Sequence, residues 1–294
     1  MHAQKLSVSL AALVSLACAI PIACFAQSEN GKNQSRGNRQ LEISRDARSG
    51  KVLVSWTGHG SLKTGKELNG RFTAVGKRLG NTTVYETVPA EEQALFRVEA
   101  AAGSVISVNI VGYVNLSLGP GLSLIANPLV FTNNSLSFWM PTAPNGAQVF
   151  KYTDGGFAVS TFDGETATWS NPDLQVPIGD GFYFSNPSGQ TVVYTFVGEV
   201  MQGLLINPLP AGISTKGSLV PQAGSVNSVH LLPGESGDEI RLYESDGQGG
   251  GIETISVFDA AQQAWVPDVV LGVGRGFWIR KQNPQAWARY FAVN

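Results

Sequence analysis

Cysteine is confined to the start of this 294-residue chain: Cys18 and Cys24 are its only two. Everything after residue 24 is therefore without a disulfide framework, a thiolate metal site or a cysteine nucleophile. Charge is scarce as well. Asp, Glu, Lys and Arg make up 14% of the residues, against roughly 25% in a typical globular chain, which excludes a charge-laced coiled coil and a charge-rich disordered chain. The formal net charge of -2 leaves no basic excess to neutralise phosphates, so nucleic acid is not an expected partner. No stretch holds a 3.6-residue apolar period, and no apolar run after residue 23 reaches membrane-spanning length. What is abundant is turn chemistry, with 34 Gly and 15 Pro. Together these features predict an all-β protein stabilised by core burial alone.

Residues 1–26 predict an export signal. Lys5 precedes an apolar run from Leu6 to Ala23, and Ala26 supplies a small residue at the cut. Neither cysteine is preceded by a lipobox, which argues against a lipoprotein. Residues 27–40 form a polar tether containing Lys32, Arg36 and Arg39. Residues 41–99 hold short β-rich runs such as Val52-Leu53-Val54-Ser55-Trp56, punctuated by Gly58, Gly60, Gly65 and Gly70, and predict a small β-sandwich. Ala100-Ala101-Ala102-Gly103-Ser104 is the expected linker. The charge balance changes across it, from nine basic and seven acidic residues in 41–99 to seven and fourteen in 105–294.

The remainder is an internal duplication, expected as a first repeat over 105–200 and a second over 201–294. An offset of 91 maps Gly121-Leu122-Ser123 to Gly212-Ile213-Ser214, Gly146 to Gly237 and Tyr152 to Tyr243. An insertion at Gly247-Gln248-Gly249-Gly250-Gly251 raises the offset to 96, where Phe162-Asp163 maps to Phe258-Asp259 and Trp169 to Trp265. It then settles at 95, where Gly179-Asp180-Gly181-Phe182-Tyr183 maps to Gly274-Arg275-Gly276-Phe277-Trp278. Each copy predicts a small β-barrel or sandwich, with the insertion at a hairpin tip and the final strand closing a sheet. Lys216-Gly217 falls where an apolar strand is expected, which predicts a weakened or shifted strand there.

Two resemblances accompany these patterns. Val54-Ser55-Trp56, Leu62, Leu68-Asn69-Gly70, Phe72 and Leu95-Phe96-Arg97 resemble the short immunoglobulin- or fibronectin-like modules of secreted proteins in Verrucomicrobia-type bacteria. Gly119 to Leu129, Gly179-Asp180-Gly181-Phe182-Tyr183 and Phe196-Val197-Gly198-Glu199-Val200 resemble the duplicated β repeats of uncharacterised exported proteins from the same bacteria. The resemblance implies export and β architecture, and it carries no activity or site residues.

Chemical motifs are few. Gly272-Val273-Gly274-Arg275-Gly276 is glycine-rich, but Phe277-Trp278-Ile279 follows it as a strand, so it reads as a β-turn rather than a phosphate cradle. His59 sits in a turn, and His230 occupies the place of Trp139 in the other copy, which points to packing. No histidine spacing suggests a metal, and no cofactor is expected. Asp163 and Asp259 are equivalent and read as turn aspartates. The best binding candidates are aromatic. Strand alternation sets Phe182 and Phe184 against Tyr183, and Phe277 and Ile279 against Trp278. If the phenylalanine side is core, Tyr183 and Trp278 face outward, flanked by Trp169 and Trp265. The first expectation is therefore a secreted, non-enzymatic surface or adhesion protein, whose partner is an extracellular polysaccharide or another surface protein. The second is a carbohydrate-binding protein stacking sugars on those four rings. The third is a glycan hydrolase using carboxylates such as Asp163 and Asp173.

Overall fold

Leu41-Glu42-Ile43 alternates apolar with polar residues, Val52-Leu53-Val54-Ser55-Trp56 is a β-rich run broken only by Ser55, and both segments are strands with every second side chain buried. The computed structural model describes residues 41–46, 49–56, 60–68, 70–75, 83–131, 133–153, 155–245 and 251–292. The expected export signal, the tether, His59 and the tip of the insertion lie outside the described residues. Gly37–Asn294 form one unit.

The first segment holds β1 (Leu41–Arg45), β2 (Val52–Trp56), β3 (Ser61–Gly65), β4 (Thr73–Ala74), β5 (Val84–Thr87) and β6 (Gln93–Glu99). Strands β1, β2 and β5 form a three-stranded antiparallel sheet. The others do not close a second sheet by themselves. β6 pairs with β7 (Val111–Leu118) as well as with β3, giving a five-stranded sheet in the order β13-β7-β6-β3-β4, where β13 is Val192–Glu199. Ala100–Ser104 is the turn between those two antiparallel strands: Gly103 N–H donates to Ala100 O and Ala100 N–H to Ser104 O, both at 2.9 Å. The reason lies in β6. Ala94, Leu95, Phe96 and Val98 are all buried, so the strand is covered on both faces and must lie inside a layered structure.

After β7, the chain forms β8 (Gly121–Ala126), the four-residue helix α1 (Leu136–Trp139), β9 (Gln148–Thr153), β10 (Gly156–Asp163), β11 (Thr168–Trp169), β12 (Gly181–Asn186) and the returning β13. The second repeat holds β14 (Gly203–Leu209), β15 (Gly212–Gly217), β16 (Gly224–Ser225), β17 (Glu239–Ser245), β18 (Gly251–Asp259), β19 (Ala264–Val266), β20 (Val270–Leu271), β21 (Gly276–Lys281) and β22 (Gln285–Phe291). The sheet of the first repeat runs β11-β10-β9-β12-β8 and that of the second β19-β18-β17-β21-β15. Strand for strand, this is the same order at the sequence offsets. The ribbon β7–β13 likewise has a counterpart in β14–β22. The final strand thus returns to the first strand of its own repeat. β15 is neither lost nor shifted: it pairs with β21 over all six residues, Gly212↔Lys281 to Gly217↔Gly276.

The fold is all-β, with α1 the one helix among the described residues. Three buried clusters hold it together. One contains Leu41, Ile43, Val52, Val54, Phe96 and Tyr113. A second, around Phe182, Phe184, Phe196 and Trp169, also takes Leu68 and Leu95 from the first segment and Leu205 and Phe291 from the second repeat. The third, around Ile240, Phe258, Trp265, Phe277 and Trp287, belongs to the second repeat. No helix among the described residues is long and apolar enough to cross a membrane.

Candidate functional site

The glycine-aromatic elements enter their strands through equivalent tight turns. Asp180 N–H donates to Pro177 O at 3.3 Å, and Arg275 N–H to Gly272 O at 3.2 Å. Gly179 and Gly274 adopt φ of 84° and 69°, a left-handed conformation that favours glycine. A strand follows each turn, so neither presents a helix N-terminus to a phosphate.

These turns make the joint between the repeats. Ala126 N–H donates to Gly274 O at 2.9 Å and Gly217 N–H to Gly179 O at 3.0 Å. Residue 126 maps to 217 and 179 to 274, so the two bonds are one contact made twice, the signature of a two-fold relation. Ala126 and Gly217 meet at its centre, where a Cβ on Gly217 would lie 2.1 Å from Ala126 Cβ. Lys216, the expected defect in β15, serves the joint: Asp180 accepts from Lys216 at 3.0 Å and from Lys151 at 2.9 Å. Burial pushes the Asp180 carboxyl up, but Lys216 and Lys151 outweigh it and hold the group below the usual carboxylate range.

The aromatic residues share this symmetry. Phe182, Phe184, Phe277 and Ile279 are buried, and Tyr183 and Trp278 occupy the opposite faces of their strands, each half-buried. Tyr152 of the first repeat packs edge-on to Trp278 of the second, with centroids 4.9 Å apart. Tyr243 of the second packs edge-on to Tyr183 of the first at 6.1 Å. Between the pairs, Trp278 Nε1–H donates to Tyr183 Oη at 2.7 Å. Burial pushes the Tyr183 hydroxyl pKa up, against the indole bond that pulls it down. Tyr183 and Trp278 are therefore brought together, but their first duty is to each other.

Trp169 and Trp265 are not part of that face. They are only 4% and 1% exposed, so they cannot stack on a ligand. Each packs edge-on against the phenylalanine opposite it, Phe162 or Phe258, at 5.2 and 5.5 Å. Each donates its indole N–H to a backbone carbonyl inside the core, Met140 O at 2.7 Å and Leu232 O at 2.9 Å. An indole whose polar handle is satisfied internally has no need of the surface.

Trp278 also walls an open groove of about 450 Å³ with Tyr152, Ile213, Arg241, Arg280, Glu239 and Glu253. The registers Ile213↔Arg280, Glu239↔Arg280 and Arg241↔Trp278 place these side chains on one face of the sheet. Glu239 accepts from Arg241 and, at 3.0 Å, from Arg280, while Arg241 reaches Glu253 at 3.3 Å. The result is a preset lattice of fork-shaped donors and carboxylates beside an indole and a phenol. Reasoning on the sequence missed all of these partners except Trp278. The available signals were the 91-residue offset linking Tyr152 to Tyr243, and the two-residue step from Trp278 to Arg280.

A larger cleft, about 910 Å³, lies between the first segment and the two repeats, and its lining includes Lys66, Glu67, Glu91, Glu92, Asn115 and Arg275. Asp163 and Asp173 line neither space. Asp163 instead accepts from Glu165 N–H and Thr166 Oγ1–H, each at 2.9 Å. Those bonds hold its carboxyl below the usual range. Asp259 closes its equivalent turn by accepting from Ala261 and Gln262. His230 is fully buried where Trp139 stands in the first repeat, also buried. Burial, reinforced by Arg289, pushes its pKa down to about 4. No group of three or more metal-ligating side chains occurs among the described residues. No protein-family model, curated protein or solved structure matches the chain.

Proposed function

We propose that this is an exported, non-enzymatic adhesion protein of the cell exterior, and that the groove beside Trp278 is its contact with extracellular polysaccharide. The observation that carries this reading is the pairing of a half-buried indole with ion-paired Arg241, Arg280, Glu239 and Glu253 around a groove open to solvent. A sugar ring offers an apolar C–H face and a rim of hydroxyls. The indole and the Tyr152 phenol suit the first, and the arginine–carboxylate lattice suits the second, because its side chains are already oriented and lose little entropy on binding. Export rests on the sequence of residues 1–26. A purely structural role is the second reading, favoured by the engagement of Tyr152, Tyr183, Tyr243 and Trp278 in the joint itself.

The test is saturable binding to a panel of soluble and insoluble polysaccharides. Arg280→Ala and Glu253→Ala alter the groove without touching the joint, so each should weaken binding several-fold while leaving the melting temperature unchanged. Absence of binding to every glycan by the folded protein would return the assignment to the structural reading.

A further inference from the structure

The ribbon β14–β22 turns two unlike faces outward and inward. Leu205, Asn207, Leu209 and Trp287 point to the core and are buried. The outer row consists of the cross-strand pairs Leu204↔Tyr290, Ile206↔Ala288 and Pro208↔Ala286, and all six residues are exposed. Leu204 is 68%, Ile206 54% and Tyr290 78% exposed. An antiparallel ribbon with one wet face normally alternates apolar-in with polar-out. This one places no charge on its wet face, and its one polar group there is the Tyr290 hydroxyl. A contiguous exposed apolar row of this kind marks a contact surface.

The first repeat displays what that position in the fold accepts. Its equivalent ribbon, β7–β13, is covered by the segment before it: Tyr113 and Val197 pack with Leu41, Ile43, Val52 and Val54, and β6 pairs along β7. Under that cover Asn115, which corresponds to Ile206, donates to Pro89 O and Glu91 O, and beyond it the ribbon ends on the pair Ser117↔Val193, of which Ser117 corresponds to Pro208 and Val193 is exposed. The second ribbon has the apolar character of a covered face and, among the described residues, no layer of its own chain upon it.

We propose that the β14–β22 face packs on the same face of a second copy of this chain, about a two-fold axis near Ile206 and Ala288. A surface without charge can meet itself without like-charge repulsion. The gradient of side-chain size along the row sets the orientation. Leu204 and Tyr290 are bulky and Pro208 and Ala286 are slight, so a two-fold arrangement lays the thick end of one copy on the thin end of the other. Packing is face to face rather than edge to edge, because Pro208 has no N–H to offer a strand added along β14.

The experiment is light scattering on the full chain from about 1 to about 100 µM, a range over which a dimer of this kind changes its population. The wild type should shift from monomer to dimer. Ile206→Arg and Ile206→Glu should each weaken association at least tenfold, because residue 206 meets its own counterpart. An equimolar mixture of the two variants should recover it. Val270→Arg, on an exposed residue of β20, should dimerise as the wild type does. Circular dichroism melts identify any variant that unfolds, and Ala288→Arg with Ala288→Glu, at the other residue on the axis, then provides the replacement pair. A wild type that stays monomeric throughout would overturn the proposal and leave the ribbon to a different protein partner. Undiminished dimerisation of the charged variants, or a mixture that fails to recover it, would equally overturn it.

Discussion

His230 is a buried base that never becomes a useful one. Its ring lies in the place that Trp139 fills in the first repeat, Arg289 stands 3.4 Å from Nδ1, and the Leu271 backbone is its other polar neighbour. Burial first, and the Arg289 charge second, hold the folded pKa at about 4, below the ordinary value of about 6.5. The sign follows directly. The unfolded chain takes up the proton first as pH falls, so the stability from keeping this ring neutral is complete above about 6.5 and is lost progressively down to about 4. Urea unfolding at pH about 7.5 and about 4.5 should show a loss of about 2–3 kcal/mol that His230→Gln lacks, after other titrating groups cancel between the two proteins. Equal losses in both would mean that the ring is already protonated or solvated in the fold. The same residue shows what a sequence can and cannot disclose. A Trp in one copy and a His in the other already indicates packing, whereas the Arg289 contact depends on neighbours that only the fold brings near.

At the scale of elements, the joint between the repeats rests on a steric match that a single swap can test. Ala126 and Gly217 are equivalent residues facing each other across the two-fold relation, and there is room for only one methyl between them. Gly217 has an ordinary backbone conformation, so the penalty for a side chain is space alone. Gly217→Ala should destabilise the protein by about 2–3 kcal/mol through overpacking. Ala126→Gly alone should cost about 1 kcal/mol, from a lost methyl and a looser strand. The double variant moves the methyl from one strand to the other and should recover most of the larger loss, a coupling that a double-mutant cycle reads directly. Additive losses would show that the strands do not meet there. The elements themselves are legible in advance: the offsets of 91, 96 and 95 align the strands of the two sheets, and alternation separates Phe182 and Phe277 from Tyr183 and Trp278. What stays hidden is which faces meet. Lys216 looks like a flaw in β15 until Asp180 arrives from the other repeat. Trp169 and Trp265 look like surface candidates until Phe162 and Phe258 are seen opposite them, with Met140 O and Leu232 O receiving their indole hydrogens.

For the whole molecule, the decisive strand is β6. Composition separates residues 41–99 from residues 105–294, because the balance of charge reverses across Ala100–Ser104, yet β6 is hydrogen-bonded to β3 on one side and β7 on the other. Its buried side chains enter two different cores. Phe96 packs with Val54 and Tyr113 in one cluster, and Leu95 joins Phe182, Phe196, Leu205 and Phe291 in the other. That second cluster draws on the first segment and on both repeats, so none of the three can lose its packing without disturbing a neighbour. Unfolding should therefore be one transition rather than three. The tryptophans are spread as Trp56 in the first segment, Trp139 and Trp169 in the first repeat, and Trp265, Trp278 and Trp287 in the second, so fluorescence samples all parts at once. Fluorescence and far-ultraviolet circular dichroism should give superimposable denaturant curves. Leu95→Ala should remove about 2–5 kcal/mol, in the range for a fully buried leucine, and should move the entire curve to lower denaturant with its slope unchanged. If the segment before residue 100 were instead an independent module, the same substitution would split the curve and shift only the phase reported by Trp56. The molecule would then be a string of separate folds, and the sheet shared through β6 would not couple them.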